Sequence, residues 1–167
     1  MIKPLLQKIL VAINGSQDSI HAAMYGILLA KQLKCALKAV YVVDTATLKS
    51  LTLSKFFVAD ESASYEENMT ADGERYLAYV AELAKSKGVK IETELKKGAV
   101  WSSVLTASDE FDASVILLGG RPHSHVHTGI VNKHDMASTT NAEIIGSSGR
   151  NIIVVKQADI EKLFKIA

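Results

Sequence analysis

Apolar positions along the chain fall into a few recognisable rhythms. Lys8 to Ile13 (KILVAI) is a nearly unbroken apolar run that stops at Asn14-Gly15-Ser16, as a strand buried on both faces does when it turns into a helix. Ser16 is placed to cap that helix, and Asp18 falls in its positive first turn. Ile20, Met24, Ile27 and Lys31 then recur near the helical period and predict a helix to about Leu33. Leu37 to Val43 (LKAVYVV) follows as a second buried strand, closing a strand-helix-strand unit.

Residues 45 to 66 carry no clean period and read as a long crossover with a short helix around Leu48 to Phe57. Met69, Gly73, Leu77, Val80 and Ala84 restore helical spacing, ending at a cationic turn (Lys85, Lys87) and a glycine stop (Gly88). Val89 to Leu95 (VKIETEL) alternates strictly, the pattern of a half-exposed strand near an edge. Trp101, Val104 and Leu105 mark a short helix, with Trp101 expected to pack it onto the sheet. Ser114 to Leu118 (SVILL) is another buried strand, ending at Gly119-Gly120. A helix over Ser138 to Ile145, a fifth strand over Asn151 to Lys156 (NIIVVK) and a short amphipathic tail complete the pattern.

Strands alternating with helices predict a single α/β domain over residues 1–167: an open five-stranded parallel sheet with helices on both faces, its core about 6–157 and its helical tail 158–167. Such sheets bind ligands outside the carboxyl ends of their strands, where strand order reverses. In this chain those ends are Asn14-Gly15-Ser16, Tyr41 to Asp44, and Gly119-Gly120 with the loop that follows.

Composition narrows the function classes. Nineteen basic against eighteen acidic residues leave a net charge of +1, which gives no electrostatic footprint for nucleic acid or an anionic membrane. Cys35 is the only cysteine, so neither an internal disulfide nor a thiolate metal cage can form, and a reducing, cytoplasmic home is expected. Cys35 itself reads as a small buried filler. Gln7 and Lys8 interrupt the apolar start, which serves better as a strand than as a leader. No apolar span reaches about 18 residues, so a soluble protein is expected.

KILVAINGSQDS, AVYVVD, KKGAVWSSVL and ASVILLGGR, followed by the helix and the NIIVVK strand, resemble in order and spacing the universal stress protein family over about 150 of the 167 residues. The resemblance implies a Rossmann-like sheet, a homodimer paired through the last strand (Asn151 to Lys156), and a stress-linked regulatory or small-ligand protein. Part of that family binds ATP, so ATP or another adenine nucleotide is the implied cofactor. On this pattern Asn14, Gly15 and Val42 meet the nucleoside, Asn14 through its amide oxygen. Gly119, Gly120, Ser138 and Thr139 meet phosphates. ATP-binding members carry Gly-x-x-Gly, nine residues, then Gly-Ser or Gly-Thr, because glycines let backbone N–H groups close around phosphates. Here Pro122 takes the second glycine's place and Ala137-Ser138 that of the Gly-Ser pair, with a longer loop between. Asn14 stands where the binders have aspartate.

The loop GGRPHSHVHTG collects His123, His125 and His127, with His134 close behind. In an extended segment alternate side chains share a side, so these three are candidate metal ligands for zinc, copper or nickel. They spread over about 13 Å of backbone, however, and need a fourth ligand such as His134 or Asp135. A solvated loop is the ordinary reading, and no metal is assigned. A third reading makes the loop a lid whose protonated imidazoles contact phosphate. The His-x-His-x-His spacing is similar to that of the histidine-triad hydrolases, but Ser124 is polar and that family has a different, largely antiparallel fold. Asn14 to Ser19 is likewise similar to the pyrophosphate loop of ATP pyrophosphatases, although an ordinary capped helix explains the same residues. No catalytic triad or paired carboxylates can be assembled, so no enzyme is expected. Two alternatives stay open: a dimeric interaction module without nucleotide, and an ATP-hydrolysing or metal-dependent enzyme using the histidine loop.

Overall fold

The computed structural model describes residues 2–55, 58–120 and 133–167, with the backbone alone over 133–138. In chain order the elements are β1 (Lys8–Ile13), α1 (Gln17–Leu33), β2 (Ala36–Asp44), α2 (Thr45–Leu53), α3 (Ala59–Ser86), β3 (Glu92–Gly98), α4 (Val100–Phe111), β4 (Val115–Gly119), α5 (Lys133–Ser147), β5 (Asn151–Val155) and α6 (Ile160–Ile166). All strand pairs are parallel, and the five-stranded sheet runs in the order β3-β2-β1-β4-β5. The chain steps outward from β1 in one direction and returns to its other side for β4, so the order reverses between β1 and β4.

The unbroken apolar runs are explained by alternation across the sheet. Ile9, Val11, Ile13, Leu37, Ala39, Tyr41 and Val43 face one layer, where α1, α3 and α6 cover them. Leu10, Val40, Val42, Ile116 and Leu118 face the other, under α4 and α5. Both faces of the central strands are therefore dry, and each fully buried Leu, Ile or Val contributes about 1.5–3 kcal/mol. β3 is an edge strand, half-exposed as its alternation suggests, and its polar face carries an ion-pair network. Lys38 Nζ and Lys96 Nζ lie 2.7 and 3.1 Å from the Glu94 carboxylate, and Lys96 also reaches Glu110 at 3.0 Å.

Four expectations about element boundaries are corrected. The short helix of the crossover is α2, and it begins at Thr45 because Asp44 caps it, Oδ1 accepting from Thr47 N at 3.0 Å and Oδ2 from Thr47 Oγ1 at 2.7 Å. α3 begins ten residues before Met69: its first turns are solvated, so they carry no apolar period, but Asp60 and Glu61 suit a helix start. β3 spans 92–98 and not 89–95. Val89 N is bonded to Ala84 O at 3.0 Å in the turn that closes α3, and pairing with β2 from Lys38↔Glu92 to Asp44↔Gly98 sets the strand's register. α5 begins at Lys133, five residues before the expected helix.

Candidate functional site

The site is built at the carboxyl end of β1. The β1–β2 ladder ends at the Ile13↔Tyr41 pair, yet β2 continues through Val42 and Val43 to Asp44, still paired with β3 on its far side. On the other flank the β1–β4 ladder ends at Val11↔Leu117, while β4 runs on to Gly119 beside β5. The central strand stops short of both neighbours. A notch results at the point where strand order reverses, and the β1-facing backbone of β2 beyond Tyr41 has no strand partner there.

Local hydrogen bonds fix the floor of the notch. Asn14 Oδ1 accepts from Ser16 N at 3.0 Å and from Ser16 Oγ at 2.6 Å. Ser16 Oγ in turn accepts from Ser19 N at 3.1 Å as the cap of α1, and buried Ser19 Oγ accepts from Asn14 N at 3.2 Å. The backbone N–H of Ser16 can only donate, so the Asn14 atom facing it is the oxygen. That oxygen thus accepts two hydrogen bonds, and Nδ2 is the other group the amide can offer to a ligand.

The glycines have their own reasons. Gly15 has φ +80°, and a Cβ there would sit 2.6 Å from the Tyr76 ring of α3. A Cβ at Gly119 would lie 2.5 Å from the backbone of Asp18, because the end of β4 abuts the first turn of α1. One at Gly120 would strike Val154 of β5. Packing alone therefore demands glycine at all three, and their identity does not by itself testify to a phosphate. The Gly119 carbonyl accepts from Asn141 Nδ2 at 2.9 Å, which ties α5 to the notch, and the Lys156 stem runs beside Gly120. Lys156 is thus a described cation next to the glycine end of the site.

Of the residues singled out in the sequence, Asn14, Gly15, Val42, Gly119 and Gly120 line up along the carboxyl ends of β1, β2 and β4. Val42 is buried, so only its backbone is available to a ligand. Thr139 is exposed on α5, and the Ser138 side chain lies outside the described residues. His123, His125 and His127 also lie outside them. Among the described residues no group of three or more potential ligands is placed to hold a metal ion. Sequence reading missed Tyr76, Asn141 and Lys156, and it placed Asp44 at a strand end facing the site without seeing that it caps α2. Asn141 and Lys156 act across long chain separations, while Asp44 carried a readable signal as an aspartate just before a helix.

Trp101 is a further correction: it does not pack α4 onto the sheet. At 38% exposed it stands on a cleft of about 320 Å³ lined also by Asp44, Thr47, Thr139, Thr140 and Glu143. A larger cleft of about 880 Å³ lies at the opposite, amino ends of β2 and β3. Its lysines cluster at the carboxyl ends of α1 and α3, where their charge offsets the helix dipoles. Cys35 lies there half-buried, its thiol donating to Leu6 O at 3.2 Å and pushed up in pKa by burial, which disfavours the thiolate.

The sequence model of the universal stress protein family matches residues 6–151. The chain belongs to the universal stress protein family. A universal stress protein of Methanocaldococcus jannaschii is 30% identical over 118 residues, covering 69% of this chain. The match spans 65% of that protein's length. Among solved structures, a universal stress family protein from Burkholderia pseudomallei covers 93% of this chain and 100% of its own, with TM-score 0.70 and 19% identity. A universal stress protein from Archaeoglobus fulgidus, solved in complex with dAMP, covers 92% of this chain and 100% of its own, with TM-score 0.61 and 13% identity. At those identities the likeness is one of fold, and it confirms the Rossmann-like reading of this universal stress protein's sheet. No helix among the described residues is long and apolar enough to cross a membrane.

Proposed function

We propose that this universal stress protein is a cytoplasmic, homodimeric regulatory protein that binds an adenine nucleotide at the notch and is not an efficient catalyst. The observation that carries the reading is the notch itself, where β1 ends short of β2 and β4 and leaves the backbone of Val42 to Asp44 open at the switch point. The dAMP complex of the Archaeoglobus relative supports an adenine ligand for this fold. Asn14 Nδ2 and the backbone beyond Tyr41 would hold the nucleoside. Gly119, Gly120, Ser138, Thr139 and Lys156 would hold the phosphates. The residues present fit the nucleoside end best, since Pro122 and Ala137 replace glycines of the phosphate loop.

Those replacements favour a second reading, an interaction module that binds no nucleotide. Isothermal titration calorimetry with ATP, AMP and cyclic AMP separates the two. Saturable binding of an adenine nucleotide, weakened by Asn14→Ala, supports the nucleotide reading; absence of heat with all three supports the module.

The homodimer would form through β5, whose ladder joins only β4 and whose residues Ile152 to Val154 are half-buried. Light scattering should give about twice the 18.0 kDa chain mass. A monomer across the micromolar range would count against it.

A further inference from the structure

The Trp101 cleft has the chemistry of a ring-binding site. Asp44, the last residue of β2, carries it straight on from the open backbone of Val42 and Val43. Trp101 in the first turn of α4 is part-exposed and presents some of its aromatic surface to the cleft. Across from it, Thr139 and Thr140 of α5 bring hydroxyls, and Glu143 one turn on brings an exposed carboxylate. The volume of about 320 Å³ lies at the small end of the roughly 300–1,000 Å³ usual for small-ligand pockets. Among the described residues the charged ones lining the cleft, Asp44 and Glu143, are both acidic, which disfavours a phosphate and favours a neutral ring bearing N–H donors.

We propose that this cleft takes the nucleobase, with Trp101 as its stacking face and the carboxylates of Asp44 and Glu143 accepting from the exocyclic amine. The inference rests on the nucleotide reading above and adds to it the site and chemistry of base recognition. The ligand then lies with its base toward Asp44 and Trp101 and its charged end toward Gly119, Gly120 and Lys156, with Thr139 shared between them. It also explains why a tryptophan stands part-exposed where packing onto the sheet needs only the smaller Val104 and Ala107 of the same helix.

Trp101 is the sole tryptophan, so its emission reports on this cleft alone. Adenosine, AMP and ribose 5-phosphate are titrated against the intact protein, emission being followed beside calorimetry. The expected result is a saturable emission change with adenosine and AMP, at the calorimetric midpoint, and none with ribose 5-phosphate. Trp101→Ala should weaken AMP binding roughly ten-fold or more, as loss of one base–aromatic stack does. Trp101→Phe, which keeps an aromatic face, should stay within about three-fold of the parent. Melting curves of both variants establish that the exposed site has not unfolded the domain. If AMP binds by calorimetry while emission is silent and Trp101→Ala binds as the parent does, the cleft assignment is overturned and the nucleotide reading survives. If no adenine compound binds by either readout, both fall.

Discussion

Tyr76 rests on Gly15 closely enough that even a methyl carbon at position 15 would lie 2.6 Å from its ring, and the backbone there is left-handed as well. Contacts of this kind set the tolerance of the site residue by residue. Gly119→Ala should lower unfolding free energy by about 1–3 kcal/mol, because β4 must move off the first turn of α1 to admit the Cβ. Gly146→Ala, in a helix with nothing within 4 Å, should raise it by up to about 1 kcal/mol. Chemical denaturation of the two variants checks both signs.

Glu94 gives a pH signature. Burial alone would raise its pKa, but the Lys38 and Lys96 ammonium groups beside it outweigh that and hold it below its ordinary value of 4.5. A carboxylate with a lowered folded-state pKa stabilises the fold above that ordinary value, and the contribution is lost as pH falls through the folded-state pKa. Glu94→Gln should therefore cost about 1 kcal/mol near neutral pH, and the gap from the parent should close in acid well below 4.5. A gap constant across that range would contradict the ion-pair account. Glu94 was invisible as a functional position in the sequence, since a charged residue in an alternating strand reads only as the solvated face.

At the scale of elements, α1 is the hinge between fold and site. The Ser16 hydroxyl caps it while donating to Asn14 Oδ1, so one side chain both starts a helix and orients the candidate nucleoside contact. Ser16→Ala is expected to destabilise the fold by about 1 kcal/mol and to weaken adenine-nucleotide binding as well, since Asn14 loses one of its two anchors. Calorimetry on the variant checks this; intact affinity would leave the cap a purely structural role. The cap was legible because Ser16 stands between an apolar run and a helical period. The start of α3 was not, because its first turns overhang the sheet and bury almost nothing, leaving no hydrophobic period to read. Strand β3 was found but misplaced by three residues, as alternation marks a strand's faces whereas register is decided by the neighbour it pairs with.

For the whole molecule, the alternation of buried strands and helices predicts the open parallel sheet, and the family match over residues 6–151 agrees with it. The location of the site was legible on the same grounds, since carboxyl ends at a switch point follow from topology. What topology could not show was the unequal length of neighbouring ladders that opens the notch, or the cleft that turns Trp101 from an expected packing residue into a surface. Those depend on pairing and on side chains brought from three separate segments.

Thermal melting of chelator-treated protein with and without AMP, ATP or cyclic AMP tests the nucleotide reading most directly. A ligand at about 100 times its dissociation constant adds about 2.7 kcal/mol, which raises the melting temperature of a domain of this size by several degrees. The account expects that rise with at least one adenine nucleotide and its reduction in Asn14→Ala. An unchanged melting temperature with all three nucleotides, each at millimolar concentration, would contradict it.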